Sequence, residues 1–91
     1  MKLTFRVHAL QRMFQRSISP DDVSHAVATG ESIADYPDDT PFPSRLLLAW
    51  AGKRPLHVVA AYNAPDDETI IVTVYEPDPA GWSPDFRSRK P

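Results

Sequence analysis

Apolar positions along this chain recur at two periods. Val7, Leu10, Met13 and Phe14 stand at i, i+3, i+6 and i+7, the spacing that lays side chains along one stripe of an α-helix. This predicts a helix over about 7–16 with that stripe as its buried side. Ser19-Pro20-Asp21-Asp22 marks the start of a second helix. Ser19 can cap the free amides, Pro20 suits the first helical position, and two acids favour the positive end of the helix dipole. Val23, Ala26 and Val27 form its apolar stripe and Gly30 is a fitting stop, giving a helix over about 20–29. Beyond that the period falls to two. Segments 31–36, 45–51, 55–62 and 69–76 read as strands, and 2–5 as a short one. Pro37, Pro41 and Pro43 hold the stretch between the first two of the four outside any central ladder.

Alternation assigns faces to the strands. Leu46, Leu48, Trp50, Leu56, Val58, Ala60, Ile70, Val72 and Val74 share one apolar face, expected to lie under the two helices. Arg45, Leu47, His57, Val59, Thr73 and Tyr75 fall on the other. The same register pairs Leu48 with Val58 and Val58 with Val74, and sets His57 opposite Tyr75. The expected class is therefore α+β: two N-terminal helices packed on one face of an antiparallel sheet. The domain is expected to span 1–76, with 77–91 as a proline-rich tail lying on or extending from it.

Composition narrows the class. Ninety-one residues suit one domain with a modest core. No cysteine is present, so there is no disulfide framework and no thiolate metal site, and a cytoplasmic location is expected. The opening residues lack the apolar core of a signal peptide, and no run approaches a membrane span. Ten prolines are about twice the average share. With 42% apolar and 10% aromatic residues the chain is too hydrophobic to be disordered, so the prolines punctuate an ordered fold.

The net charge of −2 is unevenly laid out. Lys2, Arg6, Arg12 and Arg16 occupy residues 1–16 without an acid, and six acids without a base follow in 17–40. Arg45, Lys53 and Arg54 come next, then six acids in 58–86, then Arg87, Arg89 and Lys90. Segregation of this kind can build a basic face on an acidic protein; equally, it can be an ordinary solvated surface.

Two groups could carry chemistry. His8, Arg12 and Arg16 stand at i, i+4 and i+8 on one side of the first helix, where two guanidiniums can hold a phosphate and an imidazole can move a proton. Such a row also suits a plain exposed helix face. His57 opposite Tyr75, with Arg45 two strands away from Tyr75 on the same face, is a second candidate for proton transfer, or a simple cross-strand packing pair. His25 sits among acids and reads as solvated. No metal-ligand spacing and no glycine-rich phosphate loop occur, so no metal or other cofactor is expected.

The segments His8-Ala-Leu-Gln-Arg-Met-Phe-Gln-Arg16, Ile18-Ser19 and Asp22-Val23 resemble a small bacterial family of unknown function, DUF4258. Tyr36-Pro-Asp-Asp39, Pro55-Leu-His-Val-Val59 and Thr73-Val-Tyr-Glu-Pro-Asp-Pro79 extend the likeness over most of the chain. That family is similar to the RelE-like and BrnT-like toxin ribonucleases of toxin–antitoxin systems. The resemblance implies two helices against a curved antiparallel sheet, RNA on the open sheet face, and metal-independent cleavage by attack of the ribose 2′-hydroxyl. It further implies small zinc-finger antitoxin-like partners. A homodimer is left open, and no membrane association is expected. Carried over by position, His8 or His57 would take the 2′-hydroxyl proton. Arg12 and Arg45 would hold the phosphate, Arg16 would add to phosphate binding, and Tyr75 would position substrate or leaving group. Two functions follow as expectations: a toxin-type ribonuclease or its inactive relative, and a non-catalytic protein-binding module.

Overall fold

A computed structural model describes residues 2–91. Strand β1 (Lys2–Phe5) leads into helices α1 (Val7–Arg16) and α2 (Pro20–Thr29), followed by strands β2 (Glu31–Tyr36), β3 (Ser44–Ala51), β4 (Arg54–Asn63) and β5 (Glu68–Tyr75). The five strands form one sheet in the order β1-β5-β4-β3-β2. The last four make an antiparallel meander, while β1 returns to the far edge and runs parallel to β5. The α+β class holds, but the sheet is mixed rather than wholly antiparallel. Among the described residues, no helix is long and apolar enough to cross a membrane.

α2 begins as its sequence dictates. The Ser19 hydroxyl accepts from the Asp22 amide at 3.0 Å, and the Asp22 carboxylate accepts from the Ser19 amide at 3.1 Å. This reciprocal capping box, with Pro20 in the first turn, satisfies amides that have no partner within the helix. At the other end, a Cβ on Gly30 would meet the Ala26 carbonyl oxygen at 2.4 Å, so the tight passage into β2 requires glycine.

α1 is rotated from expectation. Its buried residues are Ala9 and Met13, while Val7, Leu10 and Phe14 are exposed. Arg54 of β4 fixes its end: Nη2 donates to the Arg16 carbonyl at 2.8 Å and Nη1 to the Ser17 carbonyl at 3.0 Å. Nε of the same guanidinium donates to Glu76 at 2.9 Å. The last turn of the helix is thereby anchored to the sheet.

The core lies between the helices and one sheet face. It joins Ala9, Met13, Ile18, Val23 and Ala26 to Leu47, Ala49, Leu56, Val58, Ala60, Ile71 and Val74. Val58 pairs with Val74 as expected, yet it faces Leu47 on β3, not Leu48. The turn between β3 and β4 contains two residues, Gly52 and Lys53, since Ala51 pairs with Arg54. Gly52 has φ 64°, a positive value suited to glycine at the first central position of a tight hairpin. Counting Arg54 as turn shifts β3 by one residue and exchanges its faces. β5 bulges opposite the Val59–Ala60 step of β4, where Val59 pairs with Thr73 and Ala60 with Ile71. The extra residue, Val72, brings Ile71 instead of Ile70 into the core.

Candidate functional site

His57 and Tyr75 are paired across β4 and β5, as the strand pattern predicts, on the face away from the helices. His57 alternates with Leu56 and Val58, which enter the core, so its imidazole leaves the opposite side of the sheet. That side is covered. Residues 81–90 form a small hairpin in which the Lys90 amide donates to the Gly81 carbonyl, the Ser83 amide to Ser88, and Trp82 bridges Arg89. The hairpin lies across the strands. Trp82 packs edge-on against His57 with ring centroids 4.4 Å apart, and Phe86 meets Trp50 of β3 at 5.9 Å. The Arg87 guanidinium grips both carboxylate oxygens of Glu31 on β2 at 2.8–3.1 Å. Arg89 stands 5.0 Å over the Trp82 ring.

His57 is 0% exposed beneath this cover. Nε2 lies 2.9 Å from the Phe86 carbonyl, which can only accept, so Nε2 carries the proton. Nδ1 then accepts from the Tyr75 hydroxyl at 3.2 Å. Burial lowers the His57 pKa from its ordinary value; the carbonyl bond opposes this and the Arg89 charge reinforces it. Burial likewise raises the Tyr75 pKa, against the opposing charge of Arg89. The pair is a neutral, fully hydrogen-bonded unit. Among the described residues no buried side-chain nitrogen or oxygen lacks a partner.

The remaining candidates lie elsewhere. His8, Arg12 and Arg16 are exposed on α1, which packs on the helix side of the sheet and is therefore separated by the sheet from His57. Arg45 was expected on the same open face as His57, two strands from Tyr75, but it pairs with the core residue Ala60 and so lies on the helix side. It lines an open groove of about 970 Å³ beyond α2, together with Val27, Asp35 and Tyr62. The one-residue shift of β3 is the cause. The two groups that the sequence offers thus stay apart: a sealed His57–Tyr75 pair and an exposed cationic row. No cluster of potential metal ligands occurs among the described residues.

Trp82, Phe86, Arg87 and Arg89, which build the seal, were not singled out as site residues. Trp82 and Phe86 are aromatic residues in a proline-rich stretch, and that was the available signal. A family model for a domain of unknown function, DUF4258, matches residues 5–76. The chain belongs to the DUF4258 family. The DUF4258 span contains both helices and every strand of the meander, and stops just before the hairpin that covers His57. No curated protein and no solved structure matches the chain.

Proposed function

We propose that this DUF4258 member is a non-catalytic protein-binding module. The observation that carries the reading is the division of the candidate groups. Acid–base cleavage of RNA needs a proton acceptor and phosphate-holding cations at one phosphate. Here the sheet stands between His57 and the row His8, Arg12, Arg16, and both ring nitrogens of His57 are engaged. The test is incubation of the full chain with structured and unstructured RNA in the presence of a chelator. Intact RNA is expected. Cleavage that disappears in His57→Ala or Arg12→Ala would overturn the reading.

One observation favours a second reading, a latent ribonuclease of the toxin–antitoxin type. The cover over His57 is built by residues 81–90, outside the family span. With Trp82 and Phe86 displaced, the imidazole would be free to take a ribose 2′-hydroxyl proton. The 2′-oxygen would attack the adjacent phosphorus to form a 2′,3′-cyclic phosphate, and the bond to the 5′-oxygen of the next nucleotide would break, that oxygen taking a proton from water. This reading expects RNA cleavage by Trp82→Ala/Phe86→Ala and none once His57→Ala is added.

A further inference from the structure

The hairpin at 81–90 is held to the sheet by side chains rather than by a ladder. Among the described residues no backbone hydrogen bond joins it to the five strands. Its contacts are the Trp82 ring on His57, the Phe86–Trp50 ring pair and the Arg87–Glu31 ion pair. To these it adds one main-chain atom, the Phe86 carbonyl oxygen, which accepts from His57 Nε2. Phe86 has φ 60°, in the left-handed region that a residue with a side chain seldom adopts. Such a conformation persists where surrounding contacts over-determine it. The Phe86 amide bond to the Ser83 carbonyl is one such contact, and His57 is the other.

His57 is thus the seat of the hairpin and also a group that titrates near neutral pH. Among the described residues no carboxylate bonds to it. From β5 it meets the Tyr75 hydroxyl, from β3 its cross-strand neighbour Leu48, and from the hairpin Trp82 and the Phe86 carbonyl. Pro55 and Val59, two positions away along β4, share its face and carry no charge. The charge that acts on the ring is Arg89, of like sign. One strand beyond Leu48, Glu31 is taken by Arg87. Taking a proton makes Nδ1 a donor, so the Tyr75 hydroxyl must reverse and send its own proton elsewhere. That reversal supplies no counter-charge, and the imidazolium stays shut away from water. Lifting the hairpin hydrates it.

The carboxylates of this region do not share that response. The Arg87 hydrogen bond holds the Glu31 carboxyl below its ordinary value, and hydrogen bonds from the Ser83 hydroxyl and the Arg87 amide do the same for Asp85. Both stay ionised as pH falls through the imidazole range.

We propose that the 81–90 hairpin is a proton-operated latch, closed on neutral His57 and released as the ring takes a proton, which uncovers the sheet face around Trp50, His57 and Tyr75. Residues 77–80, with Pro77 and Pro79, lead from β5 to the hairpin and form the hinge. The closed form favours the neutral ring and the open form restores an ordinary imidazole, so opening grows as pH falls below about 6.5. The latch goes beyond both functional readings and holds under either, since it sets when the open face is presented.

Amide hydrogen exchange of the full chain, corrected for the pH dependence of intrinsic exchange, tests this. A two-stranded hairpin is marginal by itself in water, so its internal bonds are lost when it lifts. Protection at the Ser83 and Lys90 amides should fall by up to about tenfold from about pH 7.5 to about pH 5.5, while Val58 and Val59 in β4 keep theirs. His57→Gln should remove the pH dependence of the hairpin amides. Arg89→Glu brings a carboxylate to the ring and should keep the hairpin closed to lower pH. Loss of the Arg89–Trp82 contact alone would shift protection at every pH without changing its slope. This second variant decides the matter if His57→Gln loosens the hairpin at all pH values. Hairpin protection that does not change with pH overturns the latch, as does a fall shared equally by hairpin and β4, or an unchanged slope in Arg89→Glu. So does a pH dependence that survives His57→Gln, which would assign it to another group such as His25, beside Glu31 and Arg87 in a neighbouring cleft.

Discussion

At the scale of single residues, His57 shows how neighbours fix a protonation state. Its two nitrogens face a carbonyl and a phenol, and it is shut away from water. Both conditions favour the neutral ring. The consequence for stability has a definite sign. The folded pKa lies below the unfolded value of about 6.5, so between the two the unfolded chain binds more protons. The stabilisation is complete above about 6.5 and is lost as pH falls from there toward the folded pKa. We therefore expect the melting temperature to drop between about pH 7 and pH 5.5. His57→Gln, which keeps a donor for the Phe86 carbonyl but cannot take a charge, should flatten that part of the profile. An unchanged slope would show that this ring does not govern it. The His57–Tyr75 pair itself was legible in the sequence, because the ladder between β4 and β5 runs without a break from Val59–Thr73 to His57–Tyr75. Arg45 was not, because its face depends on the length of a turn.

At the scale of elements, α1 separates pattern from packing. Val7, Leu10 and Phe14 have the spacing of a core stripe, and the helix they imply is present. Which side of it is covered depends on where the chain enters from β1 and where Arg54 holds its end, and neither appears in the periodicity. Met13→Ala should therefore cost about 2–5 kcal/mol of stability, the range for emptying a filled core site. Phe14→Ala should change stability by less than about 0.5 kcal/mol. Chemical denaturation of the two variants measures both, and equal losses would contradict the observed rotation. β3 teaches the same lesson for strands. Its alternation was readable, but a two-residue turn exchanged its faces. By contrast, the start of α2 was fully local: Ser19, Pro20 and Asp22 specify it without help from the rest of the chain.

At the scale of the whole molecule, the hairpin at 81–90 behaves as a strap across the sheet. It touches β2 through Glu31, β3 through Trp50 and β4 through His57, with Trp82 as its buried anchor. The Arg87–Glu31 tie is a surface ion pair, which binds weakly because both partners meet water. Trp82→Ala should release the strap as a unit. Hydrogen exchange is expected to become fast at the Ser83 and Lys90 amides while the amides of β3 to β5 stay protected. Joint loss of protection in both would show that strap and sheet unfold together. The prolines that suggested a surface tail were informative about its lack of regular structure. Its place over the open face arises from long-range aromatic packing and the Arg87–Glu31 pair, which local patterns do not encode.

The parallel pairing of β1 with β5 bears on the order of folding. Thr4 hydrogen-bonds to Glu68 at 2.7 Å, across 64 positions of sequence. The meander from β2 to β5 can zip through short turns, but β1 has no strand partner until β5 exists. During synthesis Leu3 and Phe5 therefore wait while both helices and the meander emerge. Closing so long a loop is entropically costly, so this ladder is expected among the last steps of assembly. Of the five strands of this sheet, the first in sequence is, on this topology, the last to be joined.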